Sequence, residues 1–401
     1  MPVLPTMHMV ACFHTLLTDD YSHCAFSGKC RRWAKMMKPY GWDTIVYTNE
    51  GSIVPDATVV TLLNAEEFAR FYPRKDKTQF HGDHAVIGER GWPDFNSRLI
   101  VELSKRVKPG DIILHPFGRA HEQLINVFPQ CIHTESGIGY GDKPFGAWRI
   151  FESQAWRHYH WGRWDHDGSV PQGEKGQNRY YSWVVPNYFD LDDWAMGSGE
   201  GDYVVYMGRI TPEKGMSTIG AIMREYAKRS KETGEVPPRF VFAGQGDFEK
   251  NVMEYVLSDP SPEDHCLNIE YVGPVHGRKR SELIGNARCM LMPSSFIEPF
   301  AGSGVESMLC GTPLISVDYG AFTETIREGV SGYRCNTLGD WVNAIEASKK
   351  LDRATVAAVT RERYSLQACG KLYDTAFRQL NELRGAGWYS TQSNRVQGAA
   401  S

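Results

Sequence analysis

The stretch MPSSFIEPFAGSGVESMLCGTPLISVDYGAFTETI, residues 292–326, decides the fold of this chain and its candidate site. An apolar strand is predicted over 287–292, and a helix opens after Pro299 with a run of small residues (Ala301, Gly302, Ser303 and Gly304). A helix start of this kind offers free backbone N–H groups and the positive end of the helix dipole, which suit a phosphate. Glu298 and Glu306 flank that run and can accept hydrogen bonds from hydroxyls. The pattern predicts a site for a ligand with a diphosphate in the middle and a sugar at each end.

Strands alternate with helices in both directions from this stretch, which predicts an α/β fold with parallel sheets. Strands are predicted over 10–14, 44–48, 111–115, 130–135, 203–207, 239–243, 269–272 and 314–317. Helices are predicted over 22–38, 279–287 and 366–384, with Lys29 on the solvent side of the first. Two domains of ordinary size fit within 401 residues.

Composition excludes several classes of protein. Charged residues make up 23% and hydrophobic residues 41%, which is typical of a soluble globular chain. No apolar run approaches the ~18 residues needed to span a membrane, and no secretion signal is evident. Nine cysteines without a Cys-x-x-Cys pair favour reduced thiols in a cytoplasm. The net charge of −4 lacks the strongly basic balance of a typical nucleic-acid binder.

Two further loops in the second half favour an anion site. Gly208-Arg209 and Lys214-Gly215 lie on one loop after a predicted strand, where two cations can meet a diphosphate and stabilise a leaving group. Gly244-Gln245-Gly246 follows the next strand as a turn that permits close approach, and Val275 lies just past the strand after that.

The first half carries polar and aromatic candidates at predicted strand ends. His115 and His133 are predicted to end neighbouring strands, where residues of a parallel sheet line the ligand crevice. Glu135 and the glycine-rich loop with Tyr140 follow at the same rim, and His14 ends the first predicted strand. Basic and aromatic residues alternate over 71–89 and 156–183, including Trp156, and suit either a sugar, an extruded base or an ordinary surface.

These motifs resemble retaining GT-B glycosyltransferases of family 4. The family signature is matched by Glu298-Pro299-Phe300, Glu306 and Cys310-Gly311-Thr312-Pro313, with Ala301 at a usual glycine. The loop with Arg209 and Lys214 matches the family's Gly-Arg…Lys-Gly motif. The run from Gly137 through Trp156, and the opening residues 14–37, resemble a branch of family 4 associated with phages and bacteria.

The resemblance implies two Rossmann-like domains with parallel sheets facing across a cleft. It implies an N-terminal acceptor-binding domain over 1–186, a nucleotide-sugar-binding domain over 187–365 and a helix over 366–384 that crosses back to the first domain. Composition predicts a disordered tail over 385–401. The catalytic set implied is His133, Glu298, Arg209 and Lys214. The donor-binding set is Gly208, Arg209, Lys214, Gly244, Gly246, Val275, Glu298, Phe300, Ala301, Gly302, Ser303 and Glu306, and the acceptor-side candidates are His14, His115, Glu135, Tyr140 and Trp156.

The predicted activity is transfer of a hexose with retention of configuration from a nucleotide-sugar. UDP-glucose is favoured and a GDP-sugar is possible. The predicted acceptor is a carbohydrate or glycoconjugate, and the alternative is a hydroxymethylated pyrimidine in DNA. The predicted location is the cytoplasm, which is a host cytoplasm if the chain is phage-encoded. A non-catalytic nucleotide-sugar-binding module is the remaining alternative. No His/Cys cluster at metal-ligand spacing is present, so no required metal and no cofactor are predicted.

Overall fold

The computed structural model describes residues 4–21, 24–73, 85–164, 182–257 and 266–383. The chain divides into two compact units. Unit 1 comprises the described residues of Met1–Phe189 and Leu366–Ser401, and unit 2 comprises those of Asp190–Ser365. The chain therefore leaves unit 1, builds unit 2, and returns to unit 1 for its last described helix.

Unit 1 contains a parallel sheet of seven strands in the order β3-β2-β1-β4-β5-β6-β7. The strands are β1 Met7–Val10, β2 Thr44–Thr48, β3 Thr58–Thr61, β4 Ile112–Leu114, β5 Ile132–Ile138, β6 Trp148–Phe151 and β7 Ser182–Val184. The described helices before unit 2 are α1 Ala25–Met37, α2 Ala65–Phe71, α3 Trp92–Ser104, α4 Leu124–Val127 and α5 Gln154–Trp164.

Unit 2 contains a second parallel sheet, of six strands in the order β10-β9-β8-β11-β12-β13. The strands are β8 Tyr203–Met207, β9 Arg239–Ala243, β10 Ile269–Gly273, β11 Cys289–Met292, β12 Leu314–Val317 and β13 Gly332–Cys335. Its helices are α6 Met216–Thr233, α7 Glu254–Leu257, α8 Gly277–Asn286, α9 Gly302–Leu309, α10 Phe322–Thr325, α11 Leu338–Ser348 and α12 Arg353–Tyr364, with a π-helical turn at Glu249–Met253. The final helix, α13 Leu366–Leu383, belongs to unit 1.

Alternating side chains of β1 supply apolar residues to two different cores, which is the pattern of a sheet covered on both faces. Met7 and Met9 pack in the core that includes Trp33 of α1 and Phe377 of α13. Val10 packs in the opposite core. Parallel strands buried on both faces confirm the prediction of an α/β fold with parallel sheets.

Three local expectations are wrong. The first strand is Met7–Val10 rather than 10–14, so His14 lies in a loop well past its end. Lys29 is buried rather than facing solvent. The strand predicted over 130–135 extends to Ile138, which places His133 near its start and Glu135 in its middle rather than at its end. The aromatic and basic segments fall partly, and the tail over 385–401 wholly, outside the described residues.

Candidate functional site

In unit 2, loops at the carboxyl ends of neighbouring strands pack so closely that only glycine fits. A side-chain carbon added at Gly244, where φ is +142°, would lie 1.8 Å from the carbonyl oxygen of Gly208. One added at Gly246 would lie 2.2 Å from the carbonyl oxygen of Ile210, and one at Gly215 would lie 1.9 Å from that of Pro293. Three predicted donor-site glycines, Gly208, Gly244 and Gly246, are thus brought together after β8 and β9.

A buried ion pair joins two of these loops. The Lys214 ammonium donates to Oε1 of Glu298 over 2.6 Å, and the two side chains are 16% and 7% exposed. The hydroxyl of Ser294 donates to the same oxygen, also over 2.6 Å. Tyr319 in turn donates to the carbonyl oxygen of Ser294, which fixes the turn between β11 and Glu298. The arrangement therefore holds one carboxylate oxygen with two donors at the sheet edge.

Helix α9 starts from this turn. Ala301 is its N-terminal cap in the left-handed conformation, with φ +65° and ψ +57°, a conformation that costs an alanine roughly 1–2 kcal/mol relative to glycine. The position of Gly302 is open, since a side-chain carbon there would have no neighbour within 4 Å among the described residues. Ser303 lies in the first turn of the helix, with its hydroxyl 3.8 Å from the sulfur of Met292. Phe300 is buried, and its ring packs edge-on against Tyr364.

The second cation, Arg209, is half exposed. Its guanidinium lies 3.6 Å from Glu213 in a surface pair, which contributes little to stability. Its carbonyl oxygen accepts a hydrogen bond from the hydroxyl of Tyr206, which anchors the backbone of this loop. The side chain is thereby available for an anion while its backbone is held. Val275 is half buried just past β10.

Glu306, on the second turn of α9, does not stand alone. Arg280 of α8 donates to its Oε2 oxygen, and the two side chains are only 18% and 16% exposed. The sequence predicts a donor-site role for Glu306 but not for Arg280, because nothing in the local pattern of α8 separates this arginine from Arg278 two residues earlier.

The two histidines predicted to end neighbouring strands, His115 and His133, lie together inside unit 1. His115, one residue past β4, contacts His133 through a hydrogen bond of 3.0 Å between Nε2 and Nδ1. The other ring nitrogen of His133 lies 3.0 Å from the carbonyl oxygen of Phe128. Burial lowers the pKa of both imidazoles, so both are neutral near pH 7. Both ring nitrogens of His133 are therefore engaged within unit 1, and 7% of its surface is exposed.

Three acceptor-side candidates form one buried network. Tyr140 donates to Glu135 over 2.6 Å, and the indole of Trp156 donates to the carbonyl oxygen of Tyr140 over 3.3 Å. Glu135 also accepts the backbone N–H groups of Phe145 and Gly146 at 3.0 and 2.8 Å. Burial raises the pKa of Glu135 to about 7, against the opposing influence of nearby Arg149. The network ties the loop that follows β5 to Glu135 within that strand. His14 is buried apart from it, against the rings of Phe13 and Phe117.

A second buried ion pair supports the same loop. Lys29 of α1 donates to Glu152 over 2.6 Å and to the carbonyl oxygen of Gly137 over 2.8 Å, and the charged side chains are 3% and 8% exposed. A side-chain carbon added at Gly139 would lie 2.4 Å from a carboxylate oxygen of Glu152. Gly139 in this loop is therefore required by the close approach of Glu152. Neither charged partner was predicted.

One family model matches the chain, and its match lies within unit 2. Residues 193–363 match the family model "Glycosyl transferases group 1". An uncharacterised glycosyltransferase of Methanocaldococcus jannaschii is 27% identical over 135 residues, which are 32% of this chain and 30% of that protein. The alpha-1,3/1,6-mannosyltransferase ALG2 of Dictyostelium discoideum is 33% identical over 109 residues, 26% of each protein. The alignments thus span less than a third of the curated relatives' length.

Solved structures match nearly the whole chain. Sucrose-phosphate synthase from Thermosynechococcus elongatus aligns with a TM-score of 0.63 at 15% identity, covering 94% of this chain and 99% of that one. HepE of Anabaena, solved with UDP-glucose, aligns with a TM-score of 0.58 at 14% identity, covering 94% and 100%. The fold is GT-B, and the residues that match the glycosyl transferases group 1 model lie within unit 2. Together these matches support an enzyme of the glycosyltransferase class.

The described residues lack two features, a membrane-spanning helix and a metal-binding cluster. No helix in that part of the chain is long and apolar enough to cross a membrane. No three His, Cys, Asp or Glu side chains there are grouped as they would be around a metal ion. All nine cysteines lie within the described ranges, none forms a disulfide, and eight are buried, including Cys12, Cys289 and Cys310.

Proposed function

We propose that this chain is a retaining glycosyltransferase that moves a hexose from a nucleotide-sugar, UDP-glucose in the first instance, to a hydroxyl of a carbohydrate or glycoconjugate. The observation that carries the proposal is the buried pair of Lys214 and Glu298 beside the N-terminus of α9. A buried ion pair is weak evidence for a stabilising role, because desolvation offsets most of its attraction. Its place at the carboxyl edge of a parallel sheet favours ligand binding instead.

The donor diphosphate would lie among three sources of positive charge. Arg209 is exposed enough to reach a phosphate, Lys214 lies at the edge of the same loop, and the first turn of α9 presents backbone N–H groups. As the bond from the sugar to the diphosphate breaks, negative charge grows on the leaving phosphate. Cations placed in advance at that position stabilise the transition state more than the ground state.

Glu298 would orient the transferred sugar. Within the described residues, both hydrogen bonds to its carboxylate end on Oε1, which leaves Oε2 to accept sugar hydroxyls. Acceptor attack would come from the face that the diphosphate leaves: the acceptor oxygen bonds to the anomeric carbon as the phosphate departs. A phosphate oxygen then takes the acceptor proton, so configuration is retained without a second carboxylate. His133 has no part in this scheme because it is buried with both nitrogens engaged.

UDP-glucose is favoured as donor because HepE, a protein of the same fold, was solved with it. Unit 1, by the resemblance to family 4, would bind the acceptor. Neither the Glu135 network nor the Lys29–Glu152 pair favours a DNA base over a glycan. Acceptor class is therefore decided by assay.

The test is calorimetric titration of the full chain with UDP-glucose and with GDP-mannose. We expect saturable binding of UDP-glucose that weakens at least tenfold in Lys214→Ala and Arg209→Ala, because a charge-assisted hydrogen bond contributes about 1.5–3 kcal/mol. Arg229→Ala is the matched control, since Arg229 forms a similar exposed pair one turn from Glu225 on α6. Equal weakening in Arg229→Ala, or binding that is intact in Lys214→Ala, would contradict the assignment of the diphosphate site.

Acceptors follow with the donor that binds. Oligosaccharides and DNA containing hydroxymethylated pyrimidines are incubated separately with that donor, and the anomeric configuration of any product is read by NMR. A product of inverted configuration refutes the retaining mechanism. Binding of a donor without transfer or hydrolysis supports the non-catalytic alternative.

A further inference from the structure

Arg280 holds the carboxylate of Glu306 inside the candidate donor site. Arg280 is the fourth residue of α8, and Glu306 is the fifth residue of α9. A terminal nitrogen of the Arg280 guanidinium donates to Oε2 of Glu306, and more than four-fifths of each side chain is buried. An arginine keeps its charge at any physiological pH, and its planar guanidinium fixes the direction of the carboxylate it pairs with. The pair therefore presents Glu306 in one orientation.

One donor of the same guanidinium has no partner. The Nε nitrogen of Arg280 is buried and makes no hydrogen bond within the described residues. A buried donor left unsatisfied is costly, and such groups in native proteins call for an explanation. An oxygen of a bound ligand would satisfy it. Oε1 of Glu306, on the other side of the pair, remains an acceptor for a ligand hydroxyl.

An unsatisfied donor beside an acceptor matches the chemistry of a vicinal diol, whose hydroxyls both donate and accept. We propose that Arg280 determines specificity for the ribose of the nucleotide: it positions Glu306 to accept a hydrogen bond from one ribose hydroxyl, and its Nε donates a hydrogen bond to a ribose oxygen. This inference rests on the proposed function, with Glu306 in the donor-binding set that the resemblance to family 4 implies. Arg280 is then a positioning and binding residue remote from the bond that breaks.

The position of α8 agrees with this role. The helix begins at Gly277, directly after the exit from β10, where Gly273 has φ +70° and Val275 is half buried. Arg278, two residues before Arg280, has a side chain 90% exposed in an i,i+4 pair with Glu282. The two arginines share one helix, yet only Arg280 reaches α9.

The experiment measures the affinity of the full chain for UDP and for 2′-deoxy-UDP and 3′-deoxy-UDP. The wild-type chain should bind UDP about tenfold more tightly than at least one deoxy analogue, as expected for loss of a hydrogen bond to a charged group. In Arg280→Leu that ratio should fall to about twofold. Arg280→Lys, which keeps the charge but loses the planar fork, should give an intermediate ratio. Arg278→Leu is the control and should keep the wild-type ratio.

Kinetics separate this role from a structural one. Arg280→Leu should raise KM for the nucleotide-sugar about tenfold with kcat within about twofold, because the lost contact binds ground and transition states alike. A thermal melt of each variant monitors folding. If the variants fold and the UDP to deoxy-UDP ratio matches the wild type, or if the wild type does not discriminate, the inference is overturned while the proposed function stands. If the wild type binds no uridine or guanosine nucleotide, the proposed function itself fails.

Discussion

The buried pair of Lys29 and Glu152 allows the sharpest stability prediction for unit 1. Lys29→Met removes the ammonium and leaves a carboxylate that is 8% exposed without its cation, and it also removes the donor to the carbonyl oxygen of Gly137. Breaking a buried pair by removing one partner costs about 3–5 kcal/mol. Since a domain is stable by about 5–15 kcal/mol, unit 1 should lose a large fraction of its stability.

The double variant separates the pair from the cost of an unpaired charge. Lys29→Met with Glu152→Gln leaves neutral, similarly sized side chains, and we expect it to recover most of the loss, to within about 1–2 kcal/mol of the wild type. Lys38→Met is the control at the end of the same helix, because the side chains of Lys38 and Asp43 are 56% and 79% exposed. The free energy of unfolding of that control should equal the wild-type value.

The assay is equilibrium urea unfolding of the full chain, followed by tryptophan fluorescence. The early transition that Lys29→Met produces should be assigned to unit 1 by hydrogen exchange of its amides. A single variant that loses less than about 1 kcal/mol, or a double variant no more stable than the single, would refute the view that the pair is a mutually dependent buried unit.

Three further measurements follow from the described residues. Because burial raises the pKa of Glu135 to about 7 from 4.5, the folded chain holds a proton that the unfolded chain has released; the free energy of unfolding should therefore fall by about 3 kcal/mol between pH 4.5 and pH 7, and Glu135→Gln should flatten that slope in urea titrations at several pH values. Ala301→Gly removes the strain of an alanine in the left-handed conformation and should raise the free energy of unfolding by up to about 1 kcal/mol, whereas Ala301→Val should lower it. Thiol titration of the native chain should show one fast-reacting cysteine, Cys266, which disappears in Cys266→Ser, because the other eight are buried.

Sequence patterns located most strands of unit 2 closely. Tyr203–Met207, Arg239–Ala243 and Leu314–Val317 were predicted with the bounds that the structure has, because each is a short apolar run closed by glycine, proline or a charged loop. The first strand was misplaced because Met7 through Cys12 are all buried, so the apolar run does not mark where hydrogen bonding between strands stops. Periodicity reports burial, and burial here extends past the strand.

The backbone positions of the candidate site could be predicted from the sequence, whereas the side chains that form its buried ion pairs could not. Gly208, Gly244 and Gly246 follow strands at fixed offsets, so their convergence could be read from the order of elements. Lys29 and Arg280 could not, since each is set apart from neighbouring basic residues only by a carboxylate more than twenty positions away. A lysine is buried only where the fold supplies a partner for its charge, and the local sequence pattern does not reveal that partner.

The return of α13 to unit 1 has a consequence for biosynthesis. Trp33 of α1 packs against Tyr373 and Phe377 of α13 at ring separations of 4.8 and 5.8 Å, and Trp42 donates to Asp374. A ribosome releases these α13 residues only after all of unit 2 has been made. Unit 2 is continuous in sequence and can complete its core earlier, whereas the first half of unit 1 must wait with an apolar helix face uncovered. The order of completion on the ribosome is therefore the reverse of the order in which the units begin.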